Sequence, residues 1–156
     1  MDRIAAVKSN FKSLGIDALL VKNLSNIRYL SGFSGSAGAL LLTKDKDYFI
    51  SDFRYKTQSK MEVYDNFEII IYKQNSYGYI GDLVKKNNKK HNIKKIGFES
   101  NFLTVNDAES LRKEFPAVKF IGVNSLIEKY TSQKNEREIE LTKKAVEITD
   151  RVFSKI

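Results

Sequence analysis

The sequence has no cysteine, one histidine and one proline among its 156 residues. Without cysteine there is no disulfide, no thiolate nucleophile and no cysteine-based zinc site. The single histidine, His91, lies in a lysine-rich run whose positive charge opposes a bound cation. No H-E-x-x-H pattern occurs either, so a two-metal hydrolytic centre has no visible donor set. No acid near His91 in the sequence is placed to orient it, which argues against a Ser-His-Asp triad. His91 therefore reads as a surface residue. Long apolar runs are also missing: "ALLL" at 39–42 is far short of the roughly 20 residues that span a bilayer. The start "MDRIAAVKSNF" has neither an unbroken apolar core nor a small-residue cleavage site, so it is not a secretory signal. The expectation is a soluble cytoplasmic protein with no membrane partner.

What is present is ordinary in bulk. Hydrophobic residues make up 42% and charged residues 29%, the balance of a globular protein. A chain of this length makes about one domain and buries roughly 68–70% of its unfolded surface, enough for a core without staples. The net charge of +8 raises the question of a nucleic acid or an acidic surface as partner. Much of the excess is local: "KKNNKKHNIKK" (85–95) holds six lysines and no acid. It also lacks arginine and aromatic residues, whereas single-strand binders interleave stacking rings with their charges. The run reads as a solvated helix end and loop, with no nucleic-acid partner.

Ile4, Val7, Phe11 and Leu14 share one helical face, so residues 2–14 read as an amphipathic helix, capped by Asp2 and stopped by Gly15. "DALLV" (17–21) reads as a buried strand and "SNIRYL" as a turn or short helix. "GALLLT" (38–43) and "DYFIS" (47–51), joined by the charged "KDK", form a hairpin signal. "FEIIIY" (67–72) is the clearest strand, rich in β-branched and aromatic residues. "KKIGFE" (94–99) and "VKFIGV" (118–123) are two more. Helices are expected over "FRYKTQSKMEV", "YGYIGDLVKKNN" and "TVNDAESLRKEF", with a short one at "NSLIEKY". Thr104 and Asp107 give the third a capping-box-like start, and Pro116 helps stop it. Strands alternating with helices, plus one early hairpin, predict an α/β domain with a mixed sheet flanked by helices.

The C-terminal segment differs. "SQKN" (132–135) is polar, and from Glu136 onward Ile139, Thr142, Val146, Thr149 and Phe153 recur at helical spacing. Glu136 and Glu138 in the first turn suit the macrodipole. The pattern is still running at Ile156. The organisation expected is an N-terminal α/β domain at 1–131, a linker at 132–135, and at 136–156 the first helix of a second domain that is cut short. A C-terminal helix packed on the first domain is the other reading of the same pattern.

Two concentrations of polar or small residues remain. "NIRYLSGFSGSAGALLLT" (26–43) spaces its glycines G-x-x-G-x-x-G, at Gly32, Gly35 and Gly38, and a strand follows. A dinucleotide loop needs G-x-G-x-x-G before a helix, and a P-loop needs Gly-Lys-Ser/Thr, so a phosphate cradle is excluded. What is left is a loop of little bulk, either a plain turn or a pocket wall that a ligand approaches closely. In "SDFRY" (51–55), Asp52 can cap the following helix and Arg54 can fork onto a carboxylate.

The glycine segment, then "SDFRY", then "IGFE" with "LT" close behind, then a linker and K-x-x-x-E-I-x-x-x-x-x-A, together resemble the N-terminal domain of Xaa-Pro aminopeptidases and Xaa-Pro dipeptidases. Creatinase shares the architecture. One departure is Phe53, where many relatives have glycine. The resemblance implies a ribonuclease-H-like α/β fold of the creatinase N-terminal type and a non-catalytic role in assembly and in walling the substrate cleft. It implies that the chemistry belongs to a following "pita-bread" domain, in which two Asp, one His and two Glu hold two divalent metals, often manganese. None of those ligands is present here, so the resemblance implies no catalytic residue, metal or cofactor in this chain and no hydrolysis by it alone. The implied partners are its own C-terminal catalytic domain, a second copy in a homodimer, and a proline-containing peptide. It also implies Phe33, Gly35 and Ser36 as cleft-facing residues, and Asp52, Arg54 and Tyr55 as organisers of the adjacent loop. A creatinase-like amidinohydrolase would change the substrate but not the role of this domain. A stand-alone module binding acidic partners or nucleic acid through its basic face is the rival reading.

Overall fold

The structure, a computed structural model, describes residues 2–73, 76–91 and 93–155, and the side chains of these except at 76 and 87–91. The chain opens with helices α1 (Arg3–Lys8) and α2 (Phe11–Leu14), strand β1 (Ala18–Val21) and helix α3 (Leu24–Ser31). A hairpin follows, of β2 (Ala39–Thr43) and β3 (Asp47–Asp52), then a 3₁₀ turn (Phe53–Tyr55) leading into α4 (Lys56–Glu62). Next come β4 (Phe67–Tyr72), α5 (Ser76–His91), β5 (Lys95–Glu99), α6 (Val105–Glu114) and β6 (Lys119–Val123). The short α7 (Glu128–Thr131) and the long α8 (Glu136–Phe153) complete the chain.

The predicted single helix over 2–14 is two. Asp2 caps α1, its carboxylate accepting from the backbone of Ile4 and Ala5, and Gly15 ends α2 at φ 63°. Between them, Ser9 Oγ and Asn10 Nδ2 donate to the Ala6 carbonyl at 2.7 and 2.9 Å. Such side-chain bonds compete with the helical ladder and stop it locally. The Thr104–Asp107 capping box of α6 forms as expected. The basic run 85–95 enters α5 and stays helical to His91; the side chains of 87–91, including that of His91, lie outside the described residues.

The six strands form one sheet in the order β4-β3-β2-β1-β5-β6. β1–β2 and β2–β3 pair antiparallel, and the other neighbours pair parallel. The mixed sheet expected from the alternation is therefore observed. Every residue of β1, β2 and β3 is buried, which explains why "ALLV" and "ALLL" show no polar alternation. Leu19, Val21, Leu40, Leu42 and Phe49 point to one face, against α1, α2, α3 and the chain around α7. Ala18, Leu20, Leu41, Tyr48 and Ile50 point to the other, against α5 and α6.

One charge is placed in this core by design of the hairpin. Asp47, 7% exposed, begins β3 and accepts from the Thr43 backbone at 3.2 Å. Lys8 Nζ reaches it from α1 at 2.7 Å. Burial pushes the Asp47 carboxyl above the usual carboxylate range, with Lys8 opposing the rise. The ionised form therefore costs folding free energy, a cost that vanishes once the pH is low enough to protonate it. Replacing Lys8 with methionine leaves that carboxylate without its counter-charge. We expect Lys8→Met to lower stability by about 2–3 kcal/mol near neutral pH. The deficit should shrink as the pH falls through the raised Asp47 pKa, read by urea unfolding over a pH series. A deficit independent of pH would show that Asp47 is not the group responsible.

Candidate functional site

β2 runs against its neighbours, so the strands on either side of it, together with β4, β5 and β6, all end at the same edge of the sheet. The loop 32–38 enters β2 at that edge. Ligands of open α/β sheets bind outside the carboxyl ends of the strands, and the glycine loop and the "SDFRY" turn both stand there.

Gly32 ends α3 with φ 83°, and a Cβ on it would lie 2.7 Å from the Glu62 carbonyl oxygen. Glycine is required there on both counts. Beyond it, Glu62 at the end of α4 clamps the loop: its carboxylate accepts from Ser34 N at 2.7 Å, from Ser34 Oγ at 2.9 Å and from Gln58 Nε2 at 3.0 Å. These donors hold the Glu62 carboxyl below the usual carboxylate range. On the far side of the loop, Ser51 Oγ donates to the Ala37 carbonyl at 2.6 Å.

Phe33 is 1% exposed. Its ring lies 4.6 Å from that of Phe49 and meets Tyr55 edge-on at 5.4 Å. This corrects its expected place on the cleft face: an aromatic ring beside the sheet gains more from burial than from solvent, so Phe33 anchors the loop from beneath. Gly35 passes directly over it, where a Cβ would lie 2.3 Å from Phe33 Cζ and 2.8 Å from Tyr55 Cε1. Ser36 is exposed at the crest, and its Oγ shares a hydrogen bond of 2.6 Å with the Tyr55 hydroxyl.

Asp52 and Arg54 form a closed unit. The Asp52 carboxylate accepts from Arg54 N at 3.0 Å, Nε at 2.9 Å and Nη2 at 2.8 Å. The Arg54 guanidinium holds the Asp52 carboxyl below its ordinary range, and Asp52 raises that of Arg54 in turn. The fork is spent within its own turn, capping the 3₁₀ segment that presents Tyr55 to Ser36. Phe53, between them, points outward at 66% exposure.

Ser36, Ala37 and Gly38 form one wall of a cleft of about 290 Å³, opposite Lys22, Tyr72 and Phe102. Lys22 Nζ donates to the Tyr77 hydroxyl at 2.7 Å and lies 3.6 Å from Asp107; Tyr77 is itself hydrogen-bonded to Asp107. Glu99, at the end of β5, accepts from the backbone of Lys22 and Asn23 at 2.7 and 2.8 Å and from Asn26 Nδ2 at 2.7 Å. The sequence reading assigned no role to Lys22, Tyr77 or Glu99. For Glu99 a signal exists: the "IGFE" strand ends on an acid that faces a turn needing its amides satisfied.

Among the described residues, no three His, Cys, Asp or Glu side chains form a group that could hold a metal ion, and no helix is long and apolar enough to cross a membrane. A pair of divalent metals does not fit the donors that the described residues bring together. The edge is a shaped, internally bonded wall whose carboxylates are occupied with backbone amides, arginine and serine.

That architecture is shared. An Xaa-Pro dipeptidase from Bacillus anthracis has a structure matching 99% of this chain and 42% of its own, at TM-score 0.89 and 31% identity. The N-terminal domain of a cytoplasmic peptidase, PepQ, from Mycobacterium tuberculosis matches 81% of this chain and 96% of its own, at TM-score 0.73 and 29% identity. In sequence, the uncharacterized peptidase YqhT of Bacillus subtilis is 33% identical over 154 residues, 99% of this chain and 42% of the relative. The chain thus spans about two fifths of the length of the Bacillus anthracis dipeptidase and of YqhT. The Creatinase/Prolidase N-terminal domain model matches residues 3–130, which takes in the whole sheet, the glycine loop and the "SDFRY" turn, and the chain belongs to that family.

Proposed function

We propose that this chain is the non-catalytic N-terminal domain of a proline-specific metallo-exopeptidase, an Xaa-Pro aminopeptidase or dipeptidase acting in the cytoplasm as a dimer. The observation that carries the reading is coverage: the family match fills residues 3–130, yet the chain accounts for 42% of an Xaa-Pro dipeptidase that it matches almost end to end. In this reading residues 1–131 are the domain, 132–135 the linker, and 136–156 the first helix of the catalytic domain. The exposed apolar side chains of α8, among them Ile139, Val146 and Phe153, support its packing against something other than the domain described above. Two divalent metals, manganese by the family resemblance, would be held by that following domain and would supply the activated water and the Lewis acidity there.

The residues of this chain bound the cleft. Proline fixes its own φ and offers no amide donor, so a peptide containing it is selected by shape as much as by hydrogen bonds. A wall of Ser36, Ala37 and Gly38, with no bulky side chain and a buried aromatic anchor beneath Gly35, suits that task. Asp52 and Arg54 hold the turn that carries Tyr55, and Tyr55 holds Ser36.

Incubated alone with manganese and an Xaa-Pro peptide, the chain is expected to show no turnover; activity that co-purifies with it would overturn the assignment of chemistry to the following domain. In the full-length protein, Ser36→Trp is expected to raise KM for an Xaa-Pro peptide about tenfold, with thermal stability little changed. Unchanged kinetics for every substrate tried would remove the loop from the cleft. Gly35→Ala should cost about 1–3 kcal/mol of folding stability, because the fully buried Phe33 ring beneath it must shift. Denaturant unfolding of this chain reads that cost directly.

A further inference from the structure

α8 leaves the domain with little to hold it. None of its residues is buried. Clefts of about 490 and 260 Å³ open where it departs, lined on the domain side by Ile4 and Tyr64 in one and by Ala6 and Tyr130 in the other. Arg3 borders both. Among the described residues, a single side-chain hydrogen bond ties α8 to the domain body: Arg3 Nη2 donates to Glu138 Oε1 at 2.6 Å.

Both partners of that contact are fixed at their other ends. Arg3 Nη1 donates to the Tyr29 carbonyl at 2.8 Å, and its guanidinium lies 4.2 Å over the Tyr29 ring. Tyr29 in turn donates through its hydroxyl to the Tyr130 carbonyl at 3.3 Å, just ahead of the linker. Glu138 uses its second oxygen, Oε2, to accept from Asn135 N at 2.9 Å, and its own N–H bonds Asn135 Oδ1 at 2.9 Å, closing the capping box of α8. One carboxylate therefore sets where the helix starts and also which way it points. A planar guanidinium with two anchored edges fixes direction in a way a point charge does not.

We infer that Arg3 and Glu138 are positioning residues, a clasp that sets the angle at which α8 leaves the α/β domain. The bearing of that angle on the cleft rests on the function proposed above; the clasp itself does not. Both side chains are partly exposed, at 28% and 30%, so the clasp is released by salt and can open and close without unfolding the domain.

Because the chain has no cysteine, cysteines placed at the exposed Lys12 and Lys144 carry spin labels at two sites only. Pulsed electron-spin distance measurements should give a distribution with one main distance for the otherwise native chain. Arg3→Gln, or about 1 M salt, should broaden it at least about twofold, with circular dichroism unchanged. Arg3→Lys should give an intermediate width. A width unchanged in Arg3→Gln would overturn the inference. If that variant does not fold, Glu138→Gln decides in the same way, since glutamine still serves the capping box. A full-length protein without Xaa-Pro peptidase activity would remove the functional reading and leave the distance result standing.

Discussion

Because β2 alone opposes its neighbours, the segment between α3 and β2 must arrive at the edge where the other strands finish. A parallel β2 would have placed the entry loop at the opposite edge, away from Asp52, Tyr55 and Glu99. The reversal also makes the hairpin, and with it the seating of Asp47 against Lys8. Burial on both faces of β1, β2 and β3 then fixes the register, since a slip by one residue would exchange the side chains facing α1–α3 for those facing α5 and α6.

The polar groups gathered at that edge serve geometry. A general acid near neutral pH needs a raised carboxyl pKa. Asp52, Glu62 and Asp107 all move the other way, held down by Arg54, by Ser34, and by Tyr77 with Thr104 respectively. Each is ionised and saturated with donors. Such carboxylates keep loops in place over a wide pH range.

What was legible in the sequence follows the range of the interactions. Strands buried on both faces announce themselves as apolar runs, and the Thr104–Asp107 box and the Gly15 stop are local in sequence, so all were readable. The break at Ser9–Asn10 was not, because a helical hydrophobic period continues across it while two side-chain bonds to Ala6 interrupt the ladder. Phe33 was read correctly as part of the loop and wrongly as part of its surface. Its burial depends on Phe49 and Tyr55, which tertiary structure alone brings beneath it. Glu99 and its turn partners are more than 70 residues apart in the chain, and Arg3 and Glu138 are 135 apart. No periodicity or motif encodes contacts at that separation.

The two ends of the molecule are held with very different strength, and the difference says where motion belongs. The glycine loop is pinned by a fully buried phenylalanine, a contribution of about 1.5–3 kcal/mol, and by bonds from α4, β3 and the Tyr55 turn. Among the described residues, the ion pair between α8 and the domain is the partly exposed Arg3–Glu138 contact, a class of interaction worth about 0.2–1 kcal/mol. The shape of the glycine wall therefore withstands a perturbation that would already release that ion pair.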